Sequence, residues 1–140
     1  MDFFHNLKNG SNSPGQGELV FRSTDHIRYQ NGQNVSGHNY NCHRSIKIQN
    51  NINNSEIGYT VTIYNEDGIH PLWGNNIQMA PKQMKIIKKG DDFVTLQGYG
   101  YDAMGASFSN YGLTIKFGND EIQSCILHML DRNVDLEYLK

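Results

Sequence analysis

Alternation of apolar and polar residues recurs along this chain, and it limits the fold more than any other feature. Tyr59, Val61 and Ile63, for example, alternate with two threonines. A period of two places alternate side chains on opposite faces of an extended strand. This period predicts antiparallel strands with one apolar, buried face and one polar, solvent-exposed face. At least seven segments show it: 19–23, 27–29, 46–48, 59–63, 113–117, 122–128 and 134–138.

Residues that tolerate positive φ separate these segments, at positions 31–32, 67–68, 89–91 and 118–120. They predict one hairpin over 84–98 and another over 113–130, with a last strand at 134–139. No segment has the pattern of an amphipathic helix. We therefore predict an all-β fold with little helix, an antiparallel meander of about eight or nine strands closed as a barrel or as a two-layer sandwich. The patterning does not choose between these two closures.

The chain has 140 residues, which suits one domain. Residues 6–17 are rich in Gly, Asn and Ser and have no periodicity, so composition predicts a flexible N-terminal arm over 1–17. Phe3, Phe4 and Leu7 are the side chains that could dock this arm. Residues 18–140 are predicted to form a single β domain.

Charge and hydropathy exclude several classes of protein. No apolar run approaches the ~20 residues of a membrane span, and a net charge of −2 gives no general footprint for nucleic acid or an anionic membrane. The charge is uneven, since 71–90 contain four lysines and no acid, whereas 91–140 are mainly acidic. Such faces could orient a charged protein partner. Oligomeric state stays open.

The N-terminus has no basic segment followed by an apolar one, so no secretory signal is predicted. The chain has two cysteines, Cys42 and Cys125, which do not make a disulfide framework. We therefore expect a cytoplasmic protein in which both thiols are reduced and mostly buried.

The stretch 67–78 holds the only tryptophan, Trp73, beside His70, Asn75 and Asn76. Indole faces stack on sugar rings, and amide and imidazole groups supply the hydrogen bonds that orient a polar ligand. These four residues are candidate ligand-binding residues. The alternative is that Trp73 is a core residue after a turn.

The order Asn65…Trp73-Gly74 is similar to a pattern of the galectins, small β-sandwich lectins. This resemblance implies a carbohydrate ligand at this stretch. It covers no other part of the chain, because the galectin His-x-Asn-Pro-Arg motif is absent upstream and Asn76 and Gln78 stand where Glu and Arg would be needed. We assign no family from it.

Residues 98–112 contain four glycines and three tyrosines around one carboxylate. We expect a ligand-facing loop here, in which Tyr99 and Tyr101 stack on the ligand and Asp102 accepts a hydrogen bond. The alternative is a long inter-strand loop whose glycines allow a tight path over packed tyrosines.

The sequence favours a non-enzymatic binding module for a small polar or carbohydrate-like ligand. A protein-interaction, inhibitory or neutralising protein that acts through charged faces is the alternative. A hydrolase that uses Asp102 or His128 as acid or base ranks third. The spacing of His38, Cys42 and His43 does not supply the four ligands of a closed zinc site, so neither metal nor cofactor is predicted.

Overall fold

The computed structural model describes residues 3–12, 17–23, 27–29, 40–50, 58–66, 77–78, 81–129 and 132–139. Apart from one short helix and one 3-10 turn at Phe108–Asn110, the elements of these residues are strands. In chain order they are α1 (Phe3–Lys8), β1 (Glu18–Arg22), β2 (Ile27–Tyr29), β3 (Tyr40–Asn50), β4 (Tyr59–Glu66), β5 (Ile77–Gln78), β6 (Lys82–Lys89), β7 (Phe93–Gly98), β8 (Gly112–Gly118), β9 (Glu121–His128) and β10 (Asn133–Leu139).

The strands close into one eight-stranded antiparallel barrel. Strand β3 pairs with β4, β4 pairs with β6, and from β6 to β10 each strand pairs with the next. Strand β1 closes the ring by pairing with both β10 and β3. Two short strands extend this ring: β2 pairs with β3 beyond β1, and β5 pairs with β4 beyond β6. The all-β prediction is confirmed, and the barrel is the closure that the sequence left open.

Side chains of one strand face fill the barrel interior. Val61 pairs with Ile48, Leu96 with Leu113, and all four are fully buried. An eight-stranded barrel is just wide enough for such side chains to fill it. The interior continues across β8, β9 and β10 through Ile115, Cys125 and Leu136, which are cross-strand neighbours and buried.

Helix α1 closes one end of the barrel, which we call the helix end. Phe3 and Leu7 are buried in the core, and the Phe3 ring meets the Tyr59 ring edge-on at 5.7 Å. The Tyr59 hydroxyl donates to Ser11 O at 2.7 Å. Asn12 Oδ1 accepts a hydrogen bond from Ile86 N at 2.7 Å, so this side chain pairs with a backbone group of β6 as a neighbouring strand would. Residues 3–12 are therefore packed against the barrel.

Two predicted hairpins and the last strand are present. The turn between β8 and β9 uses Asn119 and Asp120, both at positive φ (52° and 60°), as a tight hairpin requires. In β10, Val134 and Leu136 are buried and Tyr138 is half-buried. Cys125 is a free, buried thiol, and burial raises its pKa well above the usual range. The Cys42 side chain lies outside the described part of the chain.

Candidate functional site

The loop of residues 99–111, between β7 and β8, turns back on itself around Asp102. Asp102 Oδ1 accepts from the backbone N–H groups of Met104 and Ala106, both at 2.8 Å. Asp102 N donates to Ala106 O at 2.9 Å, and Gly105, at φ +86°, donates to Asp102 O at 3.0 Å. A side-chain oxygen that captures backbone amides two and four residues ahead fixes a turn. Asp102 therefore organises this loop.

The base of the loop is anchored at the opposite end of the barrel from α1, which we call the loop end. Phe108 is buried there against Gly98, where an added Cβ would collide with the Phe108 carbonyl. Ser107 caps the 3-10 turn, since its Oγ accepts from Ser109 N at 3.2 Å. Only glycine at position 98 permits this close approach, which holds the base of the loop at a defined position against β7.

A cleft of about 270 Å³, which we call the rim cleft, lies between this loop and strands β4 and β6. In its wall, Thr60 is only 6% exposed, and its Oγ1 has no hydrogen-bond partner among the residues that the structure describes. Buried polar groups in native proteins are nearly always paired, and an unpaired one costs about 1–3 kcal/mol. The cleft is lined by Thr60, Pro81, Gln83, Tyr101, Asp102, Ala103 and Phe108.

A buried lysine adjoins the cleft. Lys82 faces the barrel interior and is 6% exposed, with its Nζ 4.4 Å from the Tyr111 ring centroid and 5.6 Å from that of Phe108. Burial lowers the pKa of Lys82, and the negative charge of Asp102 acts in the opposite direction. Phe108 is thus shared by the cleft wall and the surroundings of this ammonium group.

The structure brings together two of the residues predicted from the sequence. Tyr101 and Asp102 line the rim cleft, and Tyr101 is 72% exposed, which leaves its ring free for contact. Tyr99 does not line this cleft; its ring lies under Lys85 Nζ, 4.4 Å from the centroid. The other predicted residues, His70, Trp73, Asn75 and Asn76, lie outside the described residues.

Sequence reasoning missed five lining residues of the cleft: Thr60, Pro81, Gln83, Ala103 and Phe108. Thr60 occupies a polar position in an alternating strand, where a wet outer face is expected, yet it is buried. No sequence signal distinguishes it from Thr62 on the same strand. Phe108 lies in the glycine- and tyrosine-rich stretch but was not distinguished from its neighbours.

A row of polar side chains crosses the outer face of β7 to β10. Thr114 Oγ1 lies 3.4 Å from Thr95 Oγ1 and 2.9 Å from His128 Nε2, and His128 Nδ1 lies 2.9 Å from Asn133 Oδ1. A hydroxyl, an imidazole and an amide in this order resemble a nucleophile, a base and its orienting group. None of the row lines the rim cleft. Its role in the geometry shown is to stabilise cross-strand pairing.

Comparisons with family models, with curated proteins and with solved structures give no match for this chain. Among the described residues, no three His, Cys, Asp or Glu side chains are grouped so that they could hold a metal ion. In the same part of the chain, no helix has the length and apolar character needed to cross a membrane.

Proposed function

We propose that this chain is a non-enzymatic binding module that holds a small polar, carbohydrate-like ligand in the rim cleft. The observation that carries the proposal is the Thr60 hydroxyl, which is buried in the cleft wall without a hydrogen-bond partner in the described part of the chain. Because Thr60 Oγ1 has almost no exposed surface, a ligand hydroxyl would satisfy it by drawing the Thr60 side chain toward the cleft, which would recover the free energy that the unpaired group costs. Ligand sites pair an apolar surface with a few such oriented polar groups.

The chemistry of the cleft supports a ligand with hydroxyl groups and one apolar face. Tyr101 offers an exposed ring for stacking, and the Gln83 amide can both donate and accept hydrogen bonds. Asp102 Oδ1 already accepts two backbone hydrogen bonds, so its first role is to hold the loop. At about 270 Å³ the cleft lies just below the ~300–1,000 Å³ range of drug-sized ligand sites, which favours a single sugar ring.

The barrel interior is a poor alternative site for the ligand. Eight-stranded barrels can enclose one small ligand. Here, however, Phe21, Ile46, Leu96 and Ile115 are fully buried and fill that space. The filled interior supports the rim cleft as the site of the proposed ligand.

Thr60→Val tests the proposal, because valine keeps the shape of threonine and removes the hydroxyl. Titration of the full chain with glucose, galactose, mannose and N-acetylglucosamine, followed by NMR shifts of Gln83 and Tyr101, measures binding. We expect saturable binding of at least one sugar and a loss of about two- to twelvefold in T60V, since a hydrogen bond is worth about 0.5–1.5 kcal/mol. Folding should be unchanged or slightly more stable, because an unpaired buried hydroxyl is removed.

Thr62→Val is the matched control. Thr62 lies on the same strand, is 5% exposed and does not line the cleft, so its loss should leave sugar binding unchanged. Equal binding by wild type and T60V would overturn the proposal, as would the absence of binding by all four sugars. The candidates around Trp73 and the cytoplasmic location remain predictions from the sequence.

A protein-interaction role is the second candidate function. The observation that favours it is the loop tip, where Tyr101 and Met104 are 72% and 92% exposed. Exposed apolar side chains on an ordered loop are typical of contact surfaces. Under the small-ligand function, Met104→Ala leaves sugar binding unchanged, because Met104 does not line the cleft.

A further inference from the structure

A second cavity, which we call the flank cavity, lies on the other end of the barrel between α1 and strands β1, β9 and β10. It measures about 350 Å³ and shares no lining residue with the rim cleft. Its lining consists of Phe4, Leu19, Asp120, Glu121, Ile122 and Tyr138. Nothing in the proposed function uses these residues.

The body of the flank cavity is apolar and includes two aromatic rings. Leu19 and Ile122 are each 7% exposed and belong to the core. Phe4 is half-buried and packs edge-on against Phe117 at 5.8 Å, and Tyr138 is half-buried against Phe21 at 5.5 Å. Core contacts therefore fix both rings at the cavity wall, so they are preorganised for a ligand.

The charged part of the lining is acidic. Asp120 is 90% exposed and is paired with Lys8 Nζ at 2.6 Å, which lowers the pKa of that carboxyl. Glu121 beside it is exposed and has no ion-pair partner among the described residues. Lys8, and more weakly His5, act on Asp120, whereas Glu121 is the lining carboxylate that forms no ion pair with a described residue. Aromatic faces and a carboxylate both attract a cation, and aromatic rings are a common means of binding quaternary ammonium groups.

We propose that the flank cavity binds a small, free alkylammonium or quaternary ammonium ion. The alkyl groups lie against Leu19, Ile122 and the rings of Phe4 and Tyr138, and the positive charge faces Glu121. An anion of the same size would be repelled by the Glu121 carboxylate. A neutral molecule would gain neither the attraction of the aromatic rings for a cation nor the charge attraction of Glu121. Charge complementarity therefore selects the cation among ligands that fit the volume.

Choline and its neutral isostere 3,3-dimethyl-1-butanol separate the effect of charge from that of shape. The full chain is titrated with each, and NMR shifts of the Leu19 and Ile122 methyl groups are followed. We expect saturable shifts with choline, a dissociation constant at least fivefold higher for the alcohol, and weaker choline binding at high salt. Equal affinity for the two compounds overturns the proposal, as does the absence of methyl shifts with choline.

Glu121→Gln assigns the charge that is responsible. Glu121 is exposed, so this change should not disturb folding, and we expect it to weaken choline about three- to tenfold while leaving the alcohol unaffected. The matched control is Glu137→Gln, at an exposed carboxylate of β10 that does not line the cavity. If E137Q weakens choline as much as E121Q, general surface charge is responsible and the proposed site is wrong. T60V should not change choline binding, so this test and that of the rim cleft fail separately.

Discussion

The helix end of the barrel is closed by apolar side chains, whereas the loop end is closed by a hydrogen-bonded loop above buried polar groups. At the helix end, Phe3 and Leu7 enter the core and the Tyr59 hydroxyl has a partner. At the loop end, Lys82 is buried, and the Thr60 hydroxyl in the cleft wall has no hydrogen-bond partner among the described residues. The first arrangement adds stability, and the second retains groups that cost free energy in the protein alone.

A second buried cation strengthens this contrast. Arg44 is 2% exposed, and its Nε donates to Asn65 Oδ1 at 3.0 Å inside the same part of the barrel. Burial of charged groups is costly unless they are well paired. The helix end instead keeps its ion pair, Lys8 with Asp120, at the surface. The two cavities follow the same division, with the rim cleft of about 270 Å³ at the loop end and the flank cavity of about 350 Å³ beside α1.

Leu7→Ala should have the largest effect, because it tests whether α1 is part of the core. Leu7 is fully buried, and replacing a buried leucine with alanine costs about 2–5 kcal/mol through lost burial and the cavity that remains. Urea unfolding followed by circular dichroism measures the free energy of unfolding. Met104→Ala at the exposed loop tip is the matched control and should change it by less than about 0.5 kcal/mol. A loss below about 1 kcal/mol in L7A would mean that the helix end is not closed by packing.

Much of the barrel could be predicted from the sequence because its determinants are local. Alternation at 59–63 and 113–117 identifies strands, and the positive φ tolerated at Asn119 identifies a hairpin. The closure could not be predicted, because it depends on β10 pairing with β1, two segments far apart in the chain. The role of Asn12 could not be predicted either, since it is the Asn12 side chain, not its backbone, that accepts the hydrogen bond from Ile86 N.

The candidate site could be predicted only in part. Tyr101 and Asp102 were found because their stretch has an unusual composition. Thr60 could not be found, since a cleft is formed by segments that the barrel brings together and a single strand carries no sign of it. Asp102 was expected to face a ligand, and its two backbone hydrogen bonds show a structural role as well.

The effect of pH should separate the two ends, because the buried charge lies at the loop end. The pKa of Lys82 is lowered from its usual 10.5 by burial, so the unfolded chain binds more protons between the two values. The contribution of Lys82 to the free energy of unfolding therefore rises as pH increases toward 10.5. Unfolding of wild type and Lys82→Met at pH 7, 8.5 and 10 should show a difference that shrinks as the pH rises. A pH-independent difference would contradict the assignment of a depressed pKa.

The helix end provides the opposite case in the acid range. Lys8 lowers the pKa of Asp120 below its usual 3.8 through a hydrogen bond and charge attraction. The stabilisation is present above that usual value and is lost as pH falls through the depressed pKa. Above about pH 6, the free energy of unfolding of Lys8→Met should therefore have the same pH dependence as that of the wild type. At lower pH it should decrease less steeply, because the variant lacks the ion pair that depresses the pKa of Asp120. Together, the Lys82→Met and Lys8→Met results would assign the alkaline effect to the loop end and the acid effect to the helix end.

Asp102 should give the smallest effect on global stability and a local effect on the loop. Asp102→Ala removes the acceptor of two backbone hydrogen bonds at a half-exposed position, so we expect a loss of about 1 kcal/mol or less. Amide exchange at Met104 and Ala106 should become faster, while amides of α1 are unaffected. Asp102→Asn is the matched control, because its Oδ1 can accept the same two hydrogen bonds without the charge. If D102N opens the loop as much as D102A, charge rather than the acceptor holds the turn, and the description of the loop end as hydrogen-bonded is wrong.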